Sequence, residues 1–155
     1  MPSNEDALNF EIYRMCREEG KHEFDILAGR LNTFMTSQAF LVSAYAVSMN
    51  NTNESWGHAY KMTFPTLLSL MGLILSARAV PGIIAACGMI HHWHNRQDGL
   101  LASDGELQKY YALQPKEQAH IHARDIWFAQ TSPYIFGVAW VVFGCLSLYF
   151  GLLHS

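Results

Sequence analysis

The sequence predicts an all-α protein: an integral membrane bundle of three transmembrane helices, preceded by an amphipathic cytoplasmic helix. Three observations lead there. Residues 64–90 carry one charged residue, Arg78, and residues 133–153 carry none, while about 18 or more consecutive apolar residues suffice to cross a bilayer. The stretch "YIFGVAWVVFGCLSLYFGLL" has almost no polar side, whereas a helix in a soluble core usually keeps one. Lys and Arg also alternate between segments: four before residue 31, one in 50–62, four in 95–132 and none after 153. Under the positive-inside rule this places the N-terminus in the cytoplasm and the C-terminus outside. The competing reading is a soluble bundle with two very hydrophobic core helices.

The chain has 155 residues and a net charge of -3. That length suits one domain, and the charge leaves no basic footprint for nucleic acid. Three cysteines do not make a disulfide framework. The first segment, 1–30, reads as a cytoplasmic amphipathic helix. Ser3 can cap it, with Asp6 three residues on. Leu8, Ile12 and Met15 share one face, and Phe24, Leu27, Leu31 and Phe34 continue it. Its seven acids against four bases are unlike the short positive start of a cleaved signal.

Residues 31–49 form the first expected span. It is weakly apolar, with Asn32, Thr33, Thr36, Ser37, Gln38, Ser43 and Ser48, so its polar side needs other helices or water to face. Residues 50–62 are the outer loop, with Trp56 and Tyr60 suited to the headgroup level. The second span, 63–94, is overlong. Met62 to Ile90 alone would measure about 43 Å as a helix, against a hydrocarbon core of about 30 Å. It is expected to tilt or kink at Pro81, which lacks an N–H, and to leave the membrane on the cytoplasmic side. Residues 95–132 form a polar cytoplasmic segment with turn signals at "NRQDG" and "ASDGE" and a short helix near 115–128. Pro133 then opens the last span, 133–153.

Small residues recur at helical spacing. Gly137, Gly144 and Gly151 are spaced by seven, and Gly72 with Ser76 and Gly82 with Ala86 are spaced by four. Such stripes let helix backbones approach closely in lipid, and here they point either to packing within one chain or to a homo-oligomer with a polar seam. Arg78 is the costliest residue, at about 2.5–3.5 kcal/mol for a central Arg on insertion scales. Either it reaches headgroups, or it joins Gln38 and Asn32 in a water-filled pore or seam. His91, His94, His120 and His122 could supply imidazoles to a metal, but their spacing matches no zinc signature, and the sequence requires no cofactor. "REEGKH" matches an R-x4-H pattern found in some ribonuclease domains, without the bundle that should surround it.

The segment "CREEGKHEFDILAGRLNTFMTSQAFLVSAYA", residues 16–46, resembles the start of small, uncharacterised bacterial inner-membrane proteins. Arg30, Leu31 and Asn32 at the membrane entry and Gln38, Phe40 and Leu41 in the first span carry the resemblance. It implies a multi-pass inner-membrane setting and no particular activity.

The functional expectation is an oligomeric membrane protein that forms or gates a polar pathway, or a membrane effector. Its partners would be the lipid bilayer, further copies of itself and a protein docking on the cytoplasmic segments. The alternatives are a membrane-bound metal or redox subunit using the histidines, and a non-catalytic anchor or assembly subunit of a larger membrane complex.

Overall fold

The structure, a computed structural model, describes residues 4–50, 57–111 and 116–153. It describes the side chains of these except 4–6, 57–62, 106, 110, 111, 116–125 and 151–153. The described residues form helices throughout: α1 (Asn4–Met49), α2 (Gly57–Ser103), α3 (Gly105–Tyr111) and α4 (Lys116–Leu153). At about 1.5 Å per residue, α1 and α2 are each about 70 Å long and α4 about 57 Å. All three exceed a bilayer's hydrocarbon core of about 30 Å.

Two helices contain stretches long and apolar enough to cross a membrane: Thr63–Ser103 in α2 and Ile126–Phe150 in α4. Only 28% and 17% of their apolar windows are buried within the chain. A core helix of a soluble protein would bury most of such a window, because its apolar face must leave water. α1 is not among the helices that meet this criterion; its polar residues in 31–49 dilute it.

Helix ends differ from the expected boundaries. Residues 95–99, "NRQDG", lie within α2, and the break comes at Asp104. There the Leu107 N–H donates to Asp104 Oδ1 at 3.3 Å, the side-chain bond of a helix N-cap, and this starts α3. Asn9 Nδ2 donates to the other carboxylate oxygen at 3.2 Å. Pro65, Pro81 and Pro133 all sit inside helices. α2 continues through Pro81, although this proline removes the N–H that would bond the Ala77 carbonyl.

The chain divides into two units that differ sharply in charge. Unit 1 comprises Met1–Gly29 and Ile83–Ala129, and unit 2 comprises Arg30–Gly82 and Gln130–Ser155. Of the chain's 23 Asp, Glu, Lys and Arg residues, unit 2 holds only Arg30, Glu54, Lys61 and Arg78.

Unit 1 has an apolar interior. Tyr13, Cys16, Leu27, Ile83, Ala86, Cys87, Ile90, Leu107 and Ala129 are buried there. On α1 the inward stripe is Tyr13, Cys16, Gly20 and Leu27, in steps of three, four and seven. Of the expected face, Leu27 and Phe34 are buried and Ile12, Phe24 and Leu31 intermediate, whereas Leu8 and Met15 are exposed. A Cβ at Gly20 would lie 3.6 Å, an ordinary contact distance, from both Trp93 Cβ and Gln97 Nε2, so Gly20 faces α2.

Unit 2 has an apolar surface and a mixed interior, in which Phe34, Leu41, Tyr45, Leu68 and Trp140 are buried together with polar side chains. All five buried polar residues among the described side chains, Gln38, Ser69, Ser76, Ser132 and Ser147, belong to it. Exposed large hydrophobics crowd its surface, including Phe40 and Val47 on α1, Leu67, Leu70, Met71 and Ile74 on α2, and Ile135, Val138, Val141 and Val142 on α4. α2 and α4 pack antiparallel. A Cβ at Gly137 would lie 4.0 Å from Ser76 Cβ, and one at Gly144 would lie 3.1 Å from Ser69 Oγ. Gly72 lies against the Trp140 indole, and Thr66 and Ser147 share a hydrogen bond of 3.1 Å. α1 runs parallel to α4, with Phe34 edge-on to Phe136 and Tyr45 stacked on Phe143.

Candidate functional site

The polar core of unit 2 is built from residues that no charge accompanies. Gln38, on α1, is fully buried. It faces Trp140 of α4, whose indole N–H donates to Gln38 Oε1 at 2.5 Å. Trp140 is 1% exposed and is held edge-on by Tyr45 and Phe143. The Tyr45 hydroxyl donates to the Phe143 carbonyl at 2.8 Å, a second bond from α1 to α4. Leu41 and Leu68 close the cluster. The Trp140 ring fits because Gly72 has no side chain; a Cβ there would fall inside the indole.

The hydroxyls of this unit are satisfied locally. Ser37, Ser43, Ser48, Ser69, Ser76 and Ser147 each donate to a carbonyl three or four residues earlier in their own helix. Back-bonding of this kind removes most of the cost of a hydroxyl in apolar surroundings. It explains how Ser43 stays exposed between Phe40 and Val47. The exception is the Gln38 Nε2 amide, which is buried and makes no hydrogen bond. An unmade buried bond costs about 1–3 kcal/mol. The indole N–H of Trp93, in unit 1, is in the same condition.

The residues expected to line a pore or seam occupy different environments. Gln38 is enclosed within unit 2, whereas Asn32 and Arg78 are exposed. Arg78 continues an outward face of α2 made by Leu67, Met71 and Ile74, in steps of four, three and four. No described residue pairs with it. One turn further on, Arg30 Nη1 donates to the Gly82 carbonyl at 2.7 Å. A Cβ at Gly82 would stand 3.8 Å from that nitrogen, an ordinary contact distance.

The packing glycines have identifiable neighbours: Gly72 meets Trp140, Gly137 meets Ser76, Gly144 meets Ser69 and Gly82 meets Arg30. Gly151 lies outside the described side chains. These contacts are made within one chain, so the small-residue stripes supply no argument for association between copies.

The histidines do not converge among the described residues. His91 and His94 are exposed, and His94 Nδ1 lies 3.3 Å from the Ile90 carbonyl of its own helix. No group of three or more His, Cys, Asp or Glu able to hold a metal occurs among the described residues. His120 and His122 lie outside the described side chains.

Sequence reading overlooked Trp140 and the reach of Arg30 across to α2. For Trp140 a signal existed. A buried indole N–H needs a partner, and Trp140 stands in the middle of the apolar stretch 133–153. Gln38, at the middle of the first apolar stretch, is that partner. For Arg30 no spacing in the sequence identifies Gly82 as its acceptor.

No protein-family model, curated protein or solved structure matches this chain.

Proposed function

We propose that the protein is a three-span membrane anchor or effector, in which unit 2 is embedded in the bilayer and unit 1 is an aqueous helical module that engages a partner. The observation that carries this reading is the contrast between the charge-poor, apolar surface of unit 2 and the charge-rich unit 1. Unit 1 buries apolar residues and carries nearly all the charge. Unit 2 buries glutamine and serines among apolar residues and exposes leucines, valines and phenylalanines. In water such a unit would forfeit about 25 cal/mol for every Å² of apolar surface left exposed. In lipid the exposed apolar surface meets hydrocarbon, and the buried polar groups find one another.

Residues 30–49 of α1 form the third crossing in this arrangement. They are less apolar than the other two. They nevertheless contribute Leu41 and Tyr45 to the same core as Trp140 and present Phe40 and Val47 outward. Trp140, Gln38, Leu41 and Leu68 fill the middle of the unit, which favours an anchoring role over a pathway through one protomer.

A second reading keeps a polar pathway between copies of the chain. The exposed Arg78, with no described partner, favours it, because a charge on an outward face could line a shared lumen. Membrane extraction and mass measurement in detergent separate these readings. Extraction only by detergent, with a monomeric mass, supports the anchor. A defined oligomer whose anion flux is abolished by Arg78→Gln supports the pathway. Release by alkaline carbonate would refute both.

A further inference from the structure

From the placement of Arg30 and Arg78 we infer that the protein carries a binding site for the phosphate of an anionic lipid headgroup; the inference rests on the membrane reading above.

Depth is the first argument. Phe64 is exposed near the start of the apolar face of α2. Arg78 lies 14 residues beyond it, about 21 Å along the helix, and Gly82 lies about 27 Å along. With a hydrocarbon core of about 30 Å, Arg30, fixed to the Gly82 carbonyl, stands at the level where headgroups begin. Arg78 sits one turn deeper, within reach of that level by extending its side chain.

Charge is the second argument. The only acid in unit 2 is Glu54, in the outer connection. No described acid pairs with Arg30 or Arg78. Arg30 uses one Nη1 hydrogen on a neutral carbonyl, and its remaining donors have no anionic partner among the described residues. A guanidinium presents five donors in a planar fork suited to phosphate oxygens. Two guanidiniums without a described acid, one held at the Gly82 carbonyl and the other four residues before Gly82 on α2, are better compensated by a lipid with net negative charge than by a zwitterionic one, whose ammonium no described acid would receive.

The neighbouring surface is the third argument. Arg78 ends the exposed row Leu67, Met71 and Ile74, which offers an apolar track for acyl chains directly beside the cation. A free phosphate ion would leave that row without an occupant; a lipid covers both.

The test uses the full chain in detergent, incubated with phosphatidylglycerol, phosphatidylcholine or inorganic phosphate and read by native mass spectrometry. Vesicle flotation of the same samples reports insertion separately. Wild type should retain phosphatidylglycerol in preference to phosphatidylcholine. Arg30→Gln and Arg78→Gln should each lower that retention about fivefold, the equivalent of about 1 kcal/mol per basic residue near an anionic surface. Arg96→Gln, an exposed change in unit 1, should leave it unchanged. Arg78 is exposed and pairs with no described residue, so its variant tests the site even if Arg30→Gln disturbs folding. Equal retention by wild type and Arg78→Gln in floating vesicles would overturn the lipid site alone. So would binding of inorganic phosphate without lipid preference. Failure of wild type to float would overturn the membrane reading, and this proposal with it.

Discussion

Gly72→Ala is a small change that the structure makes expensive. The added methyl would fall inside the Trp140 indole. The ring has little room to retreat, because Tyr45 and Phe143 hold its edges and Gln38 accepts its N–H. Overpacking of a filled core costs about 1–3 kcal/mol. If the indole moves far enough to break the Gln38 bond, a further ~0.6 kcal/mol is lost, the average for an interhelical bond in a membrane protein. Exchanging Gly for Ala in a helix interior returns up to about 1 kcal/mol. With the bond broken and the full helix gain returned, the net expectation is a destabilisation of about 0.6–2.6 kcal/mol. Gly88→Ala makes the control: it is also in α2, with nothing within 4 Å of the new Cβ, so it should be neutral or slightly stabilising. Reversible unfolding in mixed micelles, followed by circular dichroism, compares the three proteins. In a Trp140→Phe background the smaller ring should reduce the cost of Gly72→Ala. A Gly72→Ala protein at least as stable as Gly88→Ala would refute the packing of Trp140 on Gly72.

Three further contacts have measurable consequences. Asp104→Ala removes the α3 cap and the Asn9 bond; it should cost about 1 kcal/mol, visible as faster amide exchange at residues 105–108. A double-mutant cycle on Thr66→Val and Ser147→Ala should return a coupling of about 0.6 kcal/mol, and a coupling of zero in the same unfolding assay would show the pair is not joined. Gln38→Leu removes the unbonded Nε2 but strands the Trp140 N–H. Its net effect should therefore be smaller than that of Trp140→Ala, for which loss of a large core side chain costs about 3–5 kcal/mol.

The helical class and the two strongly apolar stretches were legible in the sequence, because helices in water need a polar face and neither stretch keeps one. The small-residue stripes were legible too, but their use was not. Gly137 and Gly144 have the spacing of an oligomer interface, and the structure places them against Ser76 and Ser69 of the same chain. Spacing identifies a stripe and says nothing about what packs on it. The inward face of the N-terminal helix was misread in part for a related reason. Leu8 and Met15 weigh heavily as hydrophobes and are exposed, whereas Cys16 and Gly20 weigh little and are buried. The sequence marks Arg78 as the single charge of residues 64–90; only the fold puts Arg30 on the Gly82 carbonyl one turn from Arg78.

The membrane reading stands or falls on unit 2 lying in lipid and unit 1 in water. Nitroxide labels at single cysteines, introduced after replacing exposed Cys145 with alanine, test it directly in reconstituted vesicles. Labels at Leu67, Leu70, Val138 and Val142 should collide with oxygen and be shielded from a water-soluble nickel chelate. Labels at Arg17, Glu18 and Asn95 should show the reverse. Free access of the nickel chelate to the four apolar positions would contradict this placement.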